Sequence, residues 1–267
     1  MNILTNSSTE ALLDATEINY AEFFALYTHV PHIQHHDEPG VLRLSSSQPV
    51  DYLNTVLRTT LENGTASSRI REIIAGYKTQ RVSVRWHVWP NSQPANLTTI
   101  LDQYGLHCTR NIPCMALDLA TMPPPDHLID HLEMAQVDDL AALYEWMSPV
   151  AYDLFFCLAY EMGLRSTAPV LHFLARYKGE PAATASIYFG AGVAGLYDVV
   201  TMPEVRGRGI GGAVCTMALQ VARQMGYRYA VLQSSKMGYR VYQRLGFTEI
   251  GRLLHYNWYD FYGDFSG

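Results

Sequence analysis

The sequence predicts a mixed α+β protein of two domains. Segments with helical and with strand-like apolar spacing alternate along the chain, as a mixed class requires. At 267 residues it is long for one ordinary domain and comfortable for two, each able to bury a core. Near its middle, Met122-Pro123-Pro124-Pro125-Asp126 forms a stiff segment that neither continues a helix nor supplies strand amides. The boundary is expected there, giving domains over residues 1–121 and 126–267.

In the N-terminal half, helical spacing covers Thr9 to Tyr27, Val50 to Glu62 and Ser68 to Tyr77. Arg81 to Trp89 alternates like a strand and stops at Pro90; Pro94 to Tyr104 reads as a helix closed by Gly105, and Pro113 to Leu119 as a further strand. His29, His32, His35 and His36 precede Asp37 and Glu38, but Pro31 interrupts them just past a helix end, so a solvated loop is expected rather than a metal site. Asn54, Trp86 and His87 are candidates for an acceptor-facing wall, against the simpler reading of core packing.

In the C-terminal half, His131 to Met134 reads as a strand, and Val137 to Met147 and Pro149 to Gly163 as helices. Pro169 to Arg176 and Pro181 to Phe189 form a hairpin turning at Lys178-Gly179-Glu180, and Gly195 to Thr201 is a strand. Ile210, Val214, Met217, Val221 and Met225 share a helix face ending at Gly226, and Tyr229 to Gln233 is a short buried strand.

Composition bounds the function. With 48% apolar and 16% charged residues the chain is globular. Its apolar runs fall short of the roughly 20 residues that span a bilayer. Met1 to Glu10 lacks the regions of a signal peptide. A soluble, cytoplasmic protein without membrane partners is expected. Cys108, Cys114, Cys157 and Cys215 are scattered, against zinc or a disulfide scaffold. A net charge of −6 argues against nucleic-acid binding and suits a cationic substrate.

The chemistry centres on Arg206-Gly207-Arg208-Gly209-Ile210-Gly211-Gly212, between a strand and an amphipathic helix. Glycines let backbone amides approach an anion closely, and the helix start adds unsatisfied N–H groups and a positive dipole end. The run also spells the dinucleotide pattern through Gly207, Gly209 and Gly212. That reading needs an acid near the end of the next strand, where the chain has Gln233-Ser234-Ser235-Lys236, and more strands than the remaining residues supply. No Lys-Ser or Lys-Thr pair ends the run, so it is no P-loop.

Arg206, Gly209 and Gly211 fit an Arg-x-x-Gly-x-Gly loop, which follows a Thr201-Met202-Pro203 turn. Beyond it come Val231-Leu232-Gln233, Tyr242 and Gly246-Phe247. In order and spacing these resemble the GCN5-related N-acetyltransferases, the GNAT family. Ser234-Ser235 before Met237-Gly238 and Val241 to Phe247 resembles a subgroup with a degenerate GNAT-like domain in front. Residues 128–267 carry the resemblance well, residues 1–119 weakly. The strand, helix, glycine and strand around Gln103-Tyr104-Gly105-Leu106 echo Val231 to Phe247, without a glycine loop.

The resemblance implies a GNAT fold, a splayed, mostly antiparallel mixed sheet flanked by helices, in tandem with that degenerate domain. It implies acetyl-CoA as cosubstrate, with Arg206, Gly207, Arg208, Gly209, Ile210, Gly211 and Gly212 at the pyrophosphate. The backbone of Val199, Val200, Thr201 and Met202 would hold the pantetheine arm, with Ser234 and Ser235 beside it. Ser235 stands where many relatives have Asn, and either serine also suits a helix cap. Tyr242 matches the tyrosine that faces the CoA sulfur, against a packing role beneath Phe247.

The acceptor implied is an amine of a small molecule or peptide. A lysine-like amine is neutral in only about one molecule in 2,500 at pH 7, a cost of about 4.6 kcal/mol. A base or water relay is therefore needed. Asp198, a carboxylate in an apolar strand, is the leading candidate, against an aspartate bonded to neighbouring amides; Glu161 and His172 are weaker. An idle acyl-CoA sensor is the alternative of another class. Monomer and homodimer both remain open.

Overall fold

The computed structural model of the chain describes residues 3–124, 129–150, 164 and 170–258. In chain order its elements are α1 (Thr9–Ala25), β1 (Gln34–Glu38), β2 (Val41–Ser45), β3 (Thr55–Thr59), α2 (Asn63–Thr79), β4 (Val84–Val88), α3 (Leu97–Gln103), β5 (His107–Asp118), β6 (Leu132–Gln136) and α4 (Leu140–Val150). They continue with β7 (Val170–Tyr177), β8 (Glu180–Gly190), β9 (Val193–Thr201), α5 (Ile210–Gln224), β10 (Tyr229–Gln233), α6 (Tyr239–Arg244) and β11 (Thr248–Trp258). The expected helix over Pro149 to Gly163 is represented only by the end of α4, which includes Pro149; residues 151–163, with Cys157 and Glu161, lie outside the described residues.

These elements form two compact units, one of Met1–Leu26 with Pro113–Ile250, the other of Tyr27–Ile112 with the chain from Gly251. These packing units differ from the division into 1–121 and 126–267 expected from composition. The physical reason lies in α1. Its Asn19 amide donates to Gly190 O at 2.9 Å, its carbonyl oxygen accepts from Tyr197 Oη at 2.7 Å, and Phe23 stacks on Tyr197 at 4.0 Å. Gly195 makes this approach possible, since a Cβ there would run into Asn19 Oδ1 and the Tyr197 ring. Leu12 and Ala15 bury against Ala116, Val193, Tyr229 and Val231. Helix α1 thus covers one face of the strands that carry the site.

In the first unit, β10 pairs with β5 antiparallel and with β9 in parallel, while β9–β8, β8–β7 and β7–β6 are antiparallel. The β7–β8 turn has successive positive φ at Lys178 (55°) and Gly179 (86°), the hairpin geometry that matches strand twist. On the face opposite α1, Val214, Ala218 and Leu219 of α5 bury against Phe173, Ala185, Ile187 and Leu196. This periodicity was legible because α5 has a single apolar side.

In the second unit, β1–β2 and β2–β3 are antiparallel, β3–β4 parallel, and β4 pairs with Leu254–Trp258 of β11. Helices α2 and α3 cover an apolar core around Trp86, Ile70, Leu101 and Tyr256. Two expectations are corrected here. Thr55–Thr59 is a strand, because a β-branched run buried on nearly every side suits a pleat better than a helix. The end of the histidine segment is a strand: His35 and His36 lie in β1, with His36 Nε2 2.8 Å from Ser45 Oγ, whereas His29 and His32 stand in the turns before it.

Candidate active site

The site begins where two strands separate. β9 and β10 pair only at Ala194–Ala230 and Gly195–Val231, yet β9 runs on to Thr201. Beyond Gly195, β9 keeps its other neighbour, β8, and loses β10. The splay implied by the resemblance is therefore present. A bulge accompanies it: Thr184 faces Val200 and Ser186 faces Tyr197, so Asp198 and Val199 share one partner position. Asp198 has φ +50°, and its carbonyl accepts from Thr184 Oγ1 at 2.9 Å. Aspartate tolerates this left-handed conformation better than most side chains. Its half-buried carboxylate thus sits on a re-aimed stretch of strand.

Past the bulge, Met202 N donates to Ala182 O at 2.9 Å. Antiparallel alternation then turns the Thr201 amide to the side β10 has left. Arg206 Nε donates to Thr201 O at 3.0 Å and anchors the start of the loop. Gly207 and Gly209 have φ +77° and +81°, so both need glycine for their backbone. Gly211 needs it for space, because a Cβ would stand 2.6 Å from Thr201 Oγ1. Gly212 has only ordinary contacts. Arg206 to Gly209 are exposed, whereas Ile210 is buried and roots α5 in the core. Gly209 caps α5 with no side-chain bond, leaving the first amides available to an anion.

Across the cleft, Ser234 N donates to Pro113 O at 2.8 Å and its hydroxyl to Ser235 O at 2.9 Å. Ser235 Oγ accepts from Gly238 N at 3.1 Å, so Ser235 is the serine that caps, and α6 starts at Tyr239 after a turn. Tyr242 is 8% exposed, meets Phe247 edge-on at 5.9 Å and lies against Gly238. Burial, then the neighbouring Cys215 thiol, raises its phenol above the ordinary value of 10. Burial pushes the Cys215 thiol up to about 12. Both groups stay protonated at neutral pH.

His172 does not suit proton abstraction. It is buried, its Nδ1 is 2.8 Å from Ser186 Oγ, its ring packs on Trp146, and burial lowers its pKa to about 3. Asn54 is also buried, donating to Gln48 O and Val50 O and accepting from Ser46 N. Trp86 and His87 are fully buried, so none of these three lines an open pocket. Among the described residues no group of three or more His, Cys, Asp or Glu is placed to hold a metal. None of their helices is long and apolar enough to cross a membrane.

Residues 134–247 match the model of the acetyltransferase (GNAT) family. This segment is a GNAT domain. The chain also shares its fold with a GCN5-related N-acetyltransferase from Kribbella flavida, at 18% identity and TM-score 0.72 over 91% of this chain and 95% of that one. A tandem GNAT protein from the clavulanic acid biosynthesis pathway aligns at 14% identity and TM-score 0.61 over 97% of this chain and 96% of its own. The glucosamine N-acetyltransferase region of a fungal multi-domain beta-N-acetylglucosaminidase aligns at 14% identity and TM-score 0.64 over 90% of this chain and 34% of that one. No curated protein matches.

The second unit repeats the parting of strands seen in the GNAT domain, but fills the gap itself. β3 and β4 pair only at Thr55–Arg85 and Val56–Trp86. Thereafter Trp89 Nε1 donates to Leu57 O at 2.9 Å, Gln93 N to Thr59 O at 2.9 Å, and Leu61 N to Gln93 O at 3.1 Å. The backbone groups that β9 keeps open are here bonded by the unit's own chain. Glu62 caps the following helix without a side-chain bond and puts a carboxylate where an anion would need positive charge. Trp89 and Gln93 close this gap. Their only sequence signal was the two prolines, Pro90 and Pro94, that break the segment.

Proposed function

We infer that the protein is an acetyl-CoA-dependent N-acetyltransferase acting on a primary amine of a small molecule or peptide, in a ternary complex with direct attack. The observation that carries this reading is the parting of β9 from β10 beside an uncapped, glycine-rich helix start. The pantetheine arm would pair with the exposed edge of Val199 to Thr201, like an added strand. Met202 would take part through its side chain, since its amide is bonded to β8. The pyrophosphate would take the amides from Gly207 to Gly212, with Arg206 at the loop's base and Ser234 and Ser235 on the opposite bank.

The thioester is already activated, so the protein's part is to position the amine and manage its protons. Asp198 would accept a proton from the ammonium, directly or through water. The amine lone pair then attacks the thioester carbon, and the tetrahedral intermediate collapses with cleavage of the C–S bond while the attacking nitrogen gives its second proton, through water, to the departing sulfur. A thiolate leaves with a pKa of about 8.5. Tyr242, held protonated by burial, would donate a hydrogen bond to it. Full proton transfer from so weak an acid is uphill, so stabilisation of the developing thiolate is the role assigned.

An amine screen read by thiol release, with acetyl-CoA binding followed by calorimetry, tests this reading. Turnover of an amine together with acetyl-CoA binding supports it. Binding without turnover across primary amines and peptides favours an idle sensor, and no binding removes both.

A further inference from the structure

The last side chain of β10 holds a buried amide without a partner. Gln233 Nε2 is closed to solvent and has no hydrogen-bond partner among the described residues. Side chains alternate along the strand: Ala230 and Leu232 enter the core beneath α5, whereas Tyr229 and Val231 bury against α1, so Gln233 points to the α1 face. The pairing of β9 with β10 ends at Gly195–Val231. Carried two residues further, that register sets Gln233 level with Tyr197 across the parting, one residue before Asp198. The Tyr197 hydroxyl donates to Asn19 Oδ1 at 2.7 Å, and the β5 neighbour of Gln233 is Cys114, a weak acceptor. A buried donor left unpaired destabilises the fold, and a methionine would fill the same space without it.

We propose that Gln233 is an acceptor-specificity residue: its Nε2 donates to a hydroxyl or carbonyl oxygen on the carbon next to the one that bears the amine, so that the protein selects vicinal amino alcohols and peptide α-amines over plain alkylamines. This rests on the acyltransferase reading above and names its acceptor class. The glycine loop leads into α5 on one face of the sheet, which leaves the α1 face, where Gln233 points, to the acceptor. An amine that gives its proton to Asp198 stands across the parting from Gln233, so an oxygen a few bonds from the nitrogen comes within reach of the carboxamide. An acceptor with that oxygen supplies the hydrogen bond that the free protein lacks, and an alkylamine supplies nothing in its place.

Steady-state kinetics with acetyl-CoA and size-matched acceptors test the assignment, ethanolamine against propylamine and glycinamide against butylamine. The wild type should show kcat/KM at least about tenfold higher for the oxygen-bearing member of each pair. In Gln233→Met that ratio should fall to about one through a raised KM for the oxygen-bearing amine. Acetyl-CoA affinity should stay within a few-fold, and the melting temperature should equal or exceed that of the wild type. A wild-type ratio near one, which needs no variant to measure, would overturn the assignment. So would a ratio that survives Gln233→Met, or a melting temperature lowered by more than a few degrees, which would mean that the amide is bonded in the free protein. An equal fall in kcat for both members of a pair would place the amide on the thioester oxygen and overturn it too. Failure of the wild type to bind acetyl-CoA, or to turn over any primary amine, would overturn the acyltransferase reading with it.

Discussion

Asp198 carries two burdens that one substitution separates. Its φ of +50° makes it part of the bulge, and its carboxylate is the proposed proton acceptor. Asparagine tolerates the same backbone. Asp198→Asn should therefore leave the melting temperature nearly unchanged while kcat falls about 10²-fold, the usual scale for losing a general base. Asp198→Ala should also lose stability, by about 1–2 kcal/mol for the left-handed backbone. If Asp198→Asn keeps full activity, Asp198 is a bulge residue only. Tyr242→Phe should lower kcat by a similar factor, with acetyl-CoA affinity kept within a few-fold. The sequence could name both residues, because a carboxylate in an apolar strand and a tyrosine before Gly-Phe are readable. It could not show the bulge, which depends on how β8 and β9 align.

Elements were legible where one side is apolar and one wet. Helix α5 fits that description; the β7–β8 hairpin, buried through the middle of both strands, was legible from its Lys178-Gly179-Glu180 turn, and both appear close to their expected bounds. β3 was misread because its run is buried almost throughout, so neither period stands out. β1 was missed because it is polar and mostly exposed, stabilised by its pairing with β2. The seating of α1 makes its own prediction. Removing the Asn19 side chain leaves the buried Tyr197 hydroxyl and Gly190 carbonyl without their partner, so Asn19→Ala should cost about 2–4 kcal/mol in chemical denaturation. A change under about 0.5 kcal/mol, the range of ordinary surface substitutions, would show that α1 is not fastened there.

Over the whole molecule, acidity should act through buried imidazoles. Burial lowers His172 from 6.5 to about 3, and holds His87 and His255 well below 6.5. The unfolded chain then binds more protons than the folded one below about pH 6.5, so the stability these groups contribute is full above that pH and lost as pH falls. His172 alone allows a slope of up to about 1.4 kcal/mol per pH unit between 6.5 and about 3. His172→Gln should flatten the fall in melting temperature between pH 6.5 and 5; an unchanged slope would show that His172 is not held neutral.

The proline run was a reasonable boundary on composition, yet packing assigns α1 and Pro113–Asp118 to the GNAT-bearing unit. Long-range assignments of this kind leave no local trace. A fragment of residues 126–267 should therefore be poorly folded by circular dichroism and protease resistance, where the full chain is folded.

The most direct measurement is calorimetric titration of acetyl-CoA into the full chain. The open cleft beside α5 and the self-filled gap beside β4 predict one site per chain, weakened at least about tenfold in Gly211→Val, where the side chain meets Thr201. No binding, two sites per chain, or unchanged affinity in that variant would contradict it.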